Sequence, residues 1–352
     1  MNDSASINNI KKIFESEESY EKIIRDYKAQ YNKKILTSPY FFIPPEINAA
    51  FNIVTLKIPE FMLNQSSRGS TAGGNNNLIF DMIILSDKEC FCNNGRDCKL
   101  PALKSTQHYI FKTPEGFGED AAVMLHNELS LMLNTLFGID IKSIDIEVLQ
   151  RETAVYERLR RLIRNISSLR SENRTILSNE ELSLIFETAL ILPPEIAIQY
   201  ITPVLEEIKK SDNTQEDIKI RALVYGKKNI SHADNIESMG ILITEDDLCT
   251  GRRIFDISLN AESEYIFYEL LDAYSYRPLF PCLRPVNERY ELVYKLLRNY
   301  QIDCVIFYKD EDCPDLNRDI DYLRIKLMRD GIDPIIIDKN DYKSIVSEYM
   351  DM

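Results

Sequence analysis

The chain has 352 residues, 44% of them hydrophobic and 28% charged, which is the balance of an ordinary soluble globular protein with two or three domains. Its 56 acidic residues outnumber its 42 basic ones, giving a formal charge of −14. No basic stripe of the kind that binds phosphates is visible, which argues against nucleic acid as a partner. No apolar run approaches the roughly 18–20 residues of a membrane span, and residues 1–16 lack the apolar core of a signal peptide. These features predict a cytoplasmic protein.

The first half of the chain is predicted to contain a helical segment followed by an α/β domain. Residues 1–33 form the polar helical segment, and residues 34–208 an amino-terminal α/β domain with a helical region. The apolar run at 78–85 predicts a buried strand. Apolar residues at helical spacing predict helices at about 119–136 and 144–169, the second with its arginines on the other face.

The second half shows a regular alternation of strands and helices. A capping box at 178–181 predicts the start of another helix, and the polar stretch 209–216 is the most linker-like segment of the chain. Residues 217–352 are predicted to form a carboxyl-terminal, flavodoxin-like α/β domain. Its strands are expected at 220–225, 241–244, 304–308 and 334–337, and its helices at 261–273, 287–299 and 316–328. The predicted fold class is therefore α/β, with two doubly wound parallel-sheet domains and helical insertions.

Three of the seven cysteines fall shortly after predicted strands: Cys90, Cys249 and Cys313. Ligands of open parallel sheets bind beyond the carboxyl ends of the strands. Three thiols from both halves could therefore converge at a domain interface, where a soft thiolate set suits an iron–sulfur cluster or zinc. The alternative is three unrelated loop cysteines.

The other four cysteines are less clearly placed. Cys92 and Cys98 lie close to Cys90, and this loop could be a redox or metal loop. Cys282 lies in a predicted loop, where a metal ligand and a residue that serves only in packing are equally expected. Cys304 lies inside an apolar run and is predicted to belong to the core, because free cysteine is among the most buried residue types.

Several stretches resemble one known family. Residues 235–253 read NIESMGILITEDDLCTGRR, which fits an acidic D-D-x-C-x-G-x-R pattern, and residues 281–314 read PCLRPVNERYELVYKLLRNYQIDCVIFYKDEDCP. They are followed by LMRDGIDP at 327–334. This order resembles the 2-hydroxyacyl-CoA dehydratase and benzoyl-CoA reductase family. Residues 38–50 and 80–90 are similar to motifs of the family's amino-terminal half, so the resemblance covers most of residues 34–345.

The resemblance implies a fold and a reaction. Members have two α/β domains that hold a [4Fe–4S] cluster in the interdomain cleft, bound by three cysteines with one iron position open. They are lyases that eliminate water from (R)-2-hydroxyacyl-CoA, or reductases of aromatic acyl-CoA, and they act through ketyl radicals. A separate ATP-hydrolysing iron–sulfur activator injects the electron. A homologous second subunit in a heterodimer, or a homodimer, is the expected assembly.

The resemblance also implies which residues bind metal, although the chain departs from the family at one position. Residues 61–67 contain no cysteine where the family's usual first ligand lies. The candidate ligands are Cys90, Cys92, Cys98, Cys249, Cys282 and Cys313. Six thiols could instead hold a double-cubane [8Fe–9S] cluster in a low-potential reductase or electron-transfer protein. A third alternative is a non-catalytic partner subunit of the same fold.

Four further residues are candidates for the reaction itself. Ser38 could hydrogen-bond a thioester carbonyl, or serve only in a turn or cap. Glu46 could transfer a proton, or only favour the start of a helix by its charge. Arg252 and Arg253 could pair with a phosphate of CoA, or be solvated charges.

Overall fold

The computed structural model describes residues 5–38, 43–59, 61–62, 79–87, 108–114, 118–171, 177–210, 220–226, 233–248, 251–276, 286–309, 313–337 and 342–351. These residues form two four-stranded sheets in which every pairing is parallel. The first sheet contains β1 (Lys34–Ser38), β2 (Ile53–Lys57), β3 (Met82–Ser86) and β4 (His108–Phe111). The second contains β5 (Ile220–Gly226), β6 (Ile241–Leu248), β7 (Cys304–Tyr308) and β8 (Ile335–Ile337).

The two sheets have the same strand order. It is β2-β1-β3-β4 in the first sheet and β6-β5-β7-β8 in the second. In both sheets, the second strand along the chain lies on one side of the first strand, and the third strand lies on its other side. The reversal therefore lies between β1 and β3 and between β5 and β7, which is where ligands of doubly wound sheets bind. The predicted α/β class with two parallel sheets is confirmed.

Twelve α-helices lie in the described part of the chain. In order they are α1 (Ala5–Glu15), α2 (Glu17–Tyr31), α3 (Pro45–Ala49), α4 (Glu119–Phe137), α5 (Ile146–Ser171), α6 (Asn179–Ile191), α7 (Pro194–Lys210), α8 (Ala233–Ser238), α9 (Ile266–Ser275), α10 (Val286–Asn299), α11 (Pro314–Arg329) and α12 (Tyr342–Asp351). Short 3-10 helices occur at Ile141–Ser143 and Arg252–Phe255. Within the residues that the structure describes, no helix is both long and apolar enough to cross a bilayer.

Local sequence explains most of these boundaries. The predicted helices at 119–136 and 144–169 are confirmed as α4 and α5. The predicted capping box is present: the Ser178 hydroxyl accepts the N–H of Glu181, and the Glu181 carboxylate accepts the N–H of Ser178. The buried strand predicted at 78–85 begins only at Met82. Just before it, the Asp81 carboxylate accepts the N–H of Ile35, 2.7 Å away.

Helices cover both faces of each sheet. α1, α2, α6 and α7 pack with α5 against one face of the first sheet, and α4 and α9 against the other. α10 and α11 cover one face of the second sheet, and α8 and α12 cover the opposite face. α9 lies within the predicted carboxyl-terminal segment 217–352, yet its residues Ile266, Leu270 and Leu271 pack in the core of the first sheet. The chain thus returns to the first sheet before it forms β7.

Candidate functional site

The long helix α5 makes contacts near both the amino edge and the carboxyl edge of the first sheet. Near its start, Glu152 forms an ion pair of 3.1 Å with Lys33, which directly precedes β1 and so marks the amino edge of this sheet. Eight residues later, Arg160 forms an ion pair with Glu46. Glu46 lies in the first turn of α3, which follows the carboxyl end of β1. The helix therefore runs from the amino edge of the first sheet to its carboxyl edge.

The second half of α5 makes similar contacts with the second sheet, first near its carboxyl edge and then near its amino edge. Arg164 donates a hydrogen bond of 3.0 Å to the carbonyl of Phe255, in the 3-10 helix that follows β6. At the end of the helix, the carbonyl of Ser171 accepts a hydrogen bond of 2.9 Å from Arg221, near the start of β5. The carboxyl edges of the two sheets therefore face each other across the middle of α5. At 1.5 Å per residue, the 26-residue helix is about 39 Å long.

Ser38 and Glu46 lie together at the carboxyl edge of the first sheet. Ser38 ends β1 and is 1% exposed, and its carbonyl accepts the N–H of Ile58. Glu46 is fully buried, and its second carboxylate oxygen has no hydrogen-bond partner among the described residues. Both residues predicted to be catalytic thus lie near the carboxyl edge of the first sheet, and Glu46 is paired with a buried arginine.

A chain of charges extends from Glu46 along α5. Arg160 also contacts Glu157, 3.1 Å away, and Glu157 in turn pairs with Arg164. Burial by itself lowers the pKa of Arg160, but the charge and hydrogen bond of Glu46, together with Tyr274 and Glu157, outweigh this effect and the net shift is upward. Arg160 is 4% exposed, so the expectation that the arginines of α5 take the opposite face from its apolar residues is wrong at this position.

Three consecutive carboxylates at the end of β6 bind the residues that follow it. Glu245 pairs with the Arg252 side chain, and Asp247 pairs with Arg253 at 3.0 Å. Between them, Asp246 accepts the backbone N–H of Arg252 at 3.0 Å. Both arginine side chains are about nine-tenths buried, at 11% and 10% exposure, so the interpretation of these residues as solvated charges is wrong. Pairing with a CoA phosphate would require them to exchange carboxylate partners.

Asp246 and Gly251 are packed against each other. The backbone of Gly251 lies so close that an added Cβ would sit 1.6 Å from the Asp246 carboxylate and 3.0 Å from Leu248. Burial raises the pKa of Asp246 to about 6, against the lowering effect of the N–H groups of Arg252 and Leu248. The glycine of the D-D-x-C-x-G-x-R pattern is therefore explained by the space that the preceding carboxylate occupies.

Gly251→Ala should lower the free energy of unfolding by about 1–3 kcal/mol, because the methyl group displaces Asp246 from the N–H groups that stabilise it. Urea denaturation monitored by circular dichroism would measure this. In an Asp246→Ala background, the same glycine substitution should lower the free energy of unfolding by much less. Equal costs in both backgrounds would contradict the explanation.

Two cysteines lie within the described residues, and they differ in their surroundings. Cys304 is fully buried in β7, as predicted, and burial raises its pKa to about 12. Cys313 is 2% exposed and occupies the N-cap position of α11, beyond the carboxyl end of β7. It packs with Tyr225, Phe307 and Leu316 on the face that α10 and α11 cover.

The other predicted ligands lie outside the described residues: Cys90, Cys92, Cys98, Cys249 and Cys282. Their neighbours are nevertheless informative. Leu248, the last residue of β6, directly precedes Cys249, and α10 begins four residues after Cys282. The described part of the chain contains no group of three or more His, Cys, Asp or Glu side chains arranged to hold a metal ion.

Residues 79–348 match the family described as HGD-D, the 2-hydroxyglutaryl-CoA dehydratase D-component. The chain belongs to this family. The resemblance to 2-hydroxyacyl-CoA dehydratases is thereby confirmed, and a family member is a component of a dehydratase-type enzyme. No curated protein sequence matches the chain.

Two solved structures of metal-binding proteins are similar over most of their length. One is a mutant of the manganese-bound periplasmic metal-binding protein from Candidatus Liberibacter asiaticus, with 9% identity over 87% of this chain and 89% of that one, and a TM-score of 0.23. The other is a zinc-bound mutant of AdcAII from Streptococcus pneumoniae, with 10% identity over 91% and 97% of the two chains, and a TM-score of 0.20.

Proposed function

We propose that this HGD-D family member is the iron–sulfur subunit of an (R)-2-hydroxyacyl-CoA dehydratase or benzoyl-CoA reductase-type enzyme. It acts through a ketyl radical after a separate activator injects one electron at the expense of ATP. The family match over residues 79–348 is the observation that carries the proposal. The facing carboxyl edges support it, because Cys90, Cys249 and Cys313 follow β3, β6 and β7 in the sequence.

One described residue supports an iron–sulfur cluster at this edge. Cys313 is a buried thiol at the carboxyl edge of the second sheet, and thiolates are the usual ligands of such clusters. Cys90, or its neighbour Cys92, and Cys313 would bind the cluster, with Cys249 or Cys98 completing the set. A bound [4Fe–4S] cluster with one open iron supplies one-electron chemistry and a Lewis acid for the thioester carbonyl.

The chain's own residues would orient the substrate. Ser38 would donate its hydroxyl hydrogen to the thioester carbonyl from the end of β1. Glu46 would accept or return a proton through the oxygen that Arg160 does not engage. The partners proposed for this subunit are a homologous second subunit, the ATP-dependent activator and an acyl-CoA.

One feature of the sequence favours a second candidate function. Residues 61–67 lack the cysteine that the family typically provides there. A non-catalytic partner subunit of the same fold would keep the fold without a productive cluster. The double-cubane reductase remains the third candidate, since six cysteines are left when the core residue Cys304 is set aside.

Anaerobic purification followed by iron and sulfide quantitation would distinguish these functions. We expect about four irons per chain, whereas about eight would favour the double-cubane protein and none the non-catalytic subunit. The chain alone should dehydrate or reduce no acyl-CoA. Activity should require the second subunit, the activator, Mg-ATP and a strong reductant, and air should abolish it. Full activity of the lone protein in air would contradict the proposal.

A further inference from the structure

The hydroxyl group of Tyr225 is buried at the carboxyl edge of the second sheet. Tyr225 is the penultimate residue of the central strand β5 and is 0% exposed, with its ring packed edge-on against Phe307 at 5.6 Å. Its oxygen has no hydrogen-bond partner among the described residues. A buried hydroxyl left unpaired is destabilising, so such groups nearly always have a partner.

The charged groups near this hydroxyl form two ion pairs. They come from four elements around the strand: Asp247 of β6, Arg253 of the following 3-10 helix, Arg289 of α10 and Asp319 of α11. Asp247 pairs with Arg253 at 3.0 Å, and Arg289 pairs with Asp319. The hydroxyl is thus a neutral donor surrounded by two neutralised ion pairs.

Cys313 lies in the same packed cluster as Tyr225. Both are buried with Phe307, Leu316 and Ile320 on one face of the sheet. Cys313 precedes the 16-residue helix α11, whose amino terminus carries partial positive charge and has no side-chain cap. An anionic group held by Cys313 would therefore meet the helix terminus, beside the buried cluster that contains Tyr225.

We propose that the Tyr225 hydroxyl donates a hydrogen bond to a sulfur atom of the cluster that Cys313 binds. This inference rests on the proposed function and adds a residue that affects the reduction potential of the cluster. A hydrogen bond to sulfur stabilises the reduced, more negative state, and it therefore raises the reduction potential. The unpaired oxygen of Tyr225 acquires its partner when the cluster is bound.

The chain offers a matched control in Tyr308. Tyr308 ends β7, and its hydroxyl is likewise buried with no partner among the described residues. It packs on the opposite face of the sheet, with the cluster that contains Cys304 and Ile306. Removing either hydroxyl by a Tyr→Phe substitution leaves the ring and its packing in place.

Tyr225→Phe, Tyr308→Phe and the wild type should be purified anaerobically, assayed for iron, and titrated with a reductant while the cluster is followed by electron paramagnetic resonance. We expect equal iron in all three and a midpoint potential shifted to more negative values in Tyr225→Phe alone. If iron is bound but Tyr225→Phe has the wild-type potential, the hydrogen bond is refuted while the proposed function stands. An iron-free wild type would overturn both.

Discussion

Cys313→Ser should remove most of the iron from the purified chain, together with its brown absorbance. The thiol lies at the N-cap of α11, at the carboxyl edge where the two sheets face each other. Serine is a poor replacement because iron–sulfur clusters are held by thiolates. Iron and sulfide assays on anaerobically purified protein, with the visible spectrum, would measure the loss.

Cys304→Ser is the control for this experiment. Cys304 is equally buried, but it lies on the opposite face of the sheet, in the core formed with α8 and α12. Its sulfur is hydrogen-bonded to Tyr349, a partner that a serine oxygen can keep. We expect this variant to retain both iron and colour. Equal iron content in the Cys313 variant and the wild type would exclude Cys313 as a ligand.

Arg160→Met should lower the free energy of unfolding by about 3–5 kcal/mol, the cost expected when one partner of a buried ion pair is removed. Glu46 is fully buried, so without Arg160 its negative charge has neither a partner nor water. Chemical denaturation at neutral pH would measure the loss.

Two further variants separate the effect of the ion pair on stability from the effect of replacing an arginine in α5. Arg158→Met, on the exposed face of the same helix, should change stability by less than about 0.5 kcal/mol. The double variant Glu46→Gln, Arg160→Met should be more stable than Arg160→Met alone, because no buried charge is then left unpaired. A double variant that is less stable than Arg160→Met would refute the role assigned to the pair.

Local patterns in the sequence predict much of the fold. Strands of continuous apolar residues and helices with a clear apolar stripe have the expected type, and the capping box at Ser178 places the start of α6. The strand predicted at 241–244 is too short, because β6 continues through Leu248. Its acidic residues can lie inside the strand because arginines further along the chain neutralise them. A window of neighbouring residues cannot detect that pairing.

The candidate site is less accessible to sequence reasoning. The motif that contains Arg252 and Arg253 is visible in the sequence, and so is the position of Cys313 after a strand. The role of Arg160 is not, because an arginine on an amphipathic helix is normally solvated, and only the tertiary fold brings Glu46 to it. Tyr225 gives no signal either, since a tyrosine in a buried strand is common and only the structure shows that its oxygen has no partner among the described residues.

The way in which α5 joins the two sheets has a consequence for how the protein unfolds. Its buried arginines are neutralised by carboxylates of both halves: Arg160 pairs with Glu46, and Arg170 pairs with Glu237. If one half melted by itself, the charges of the other half would lose their partners while still shielded from water. Because that state carries the desolvation cost without the compensating bonds, partly melted molecules should be rare. The two halves are therefore expected to melt in one cooperative transition, although each has a sheet and a core of its own.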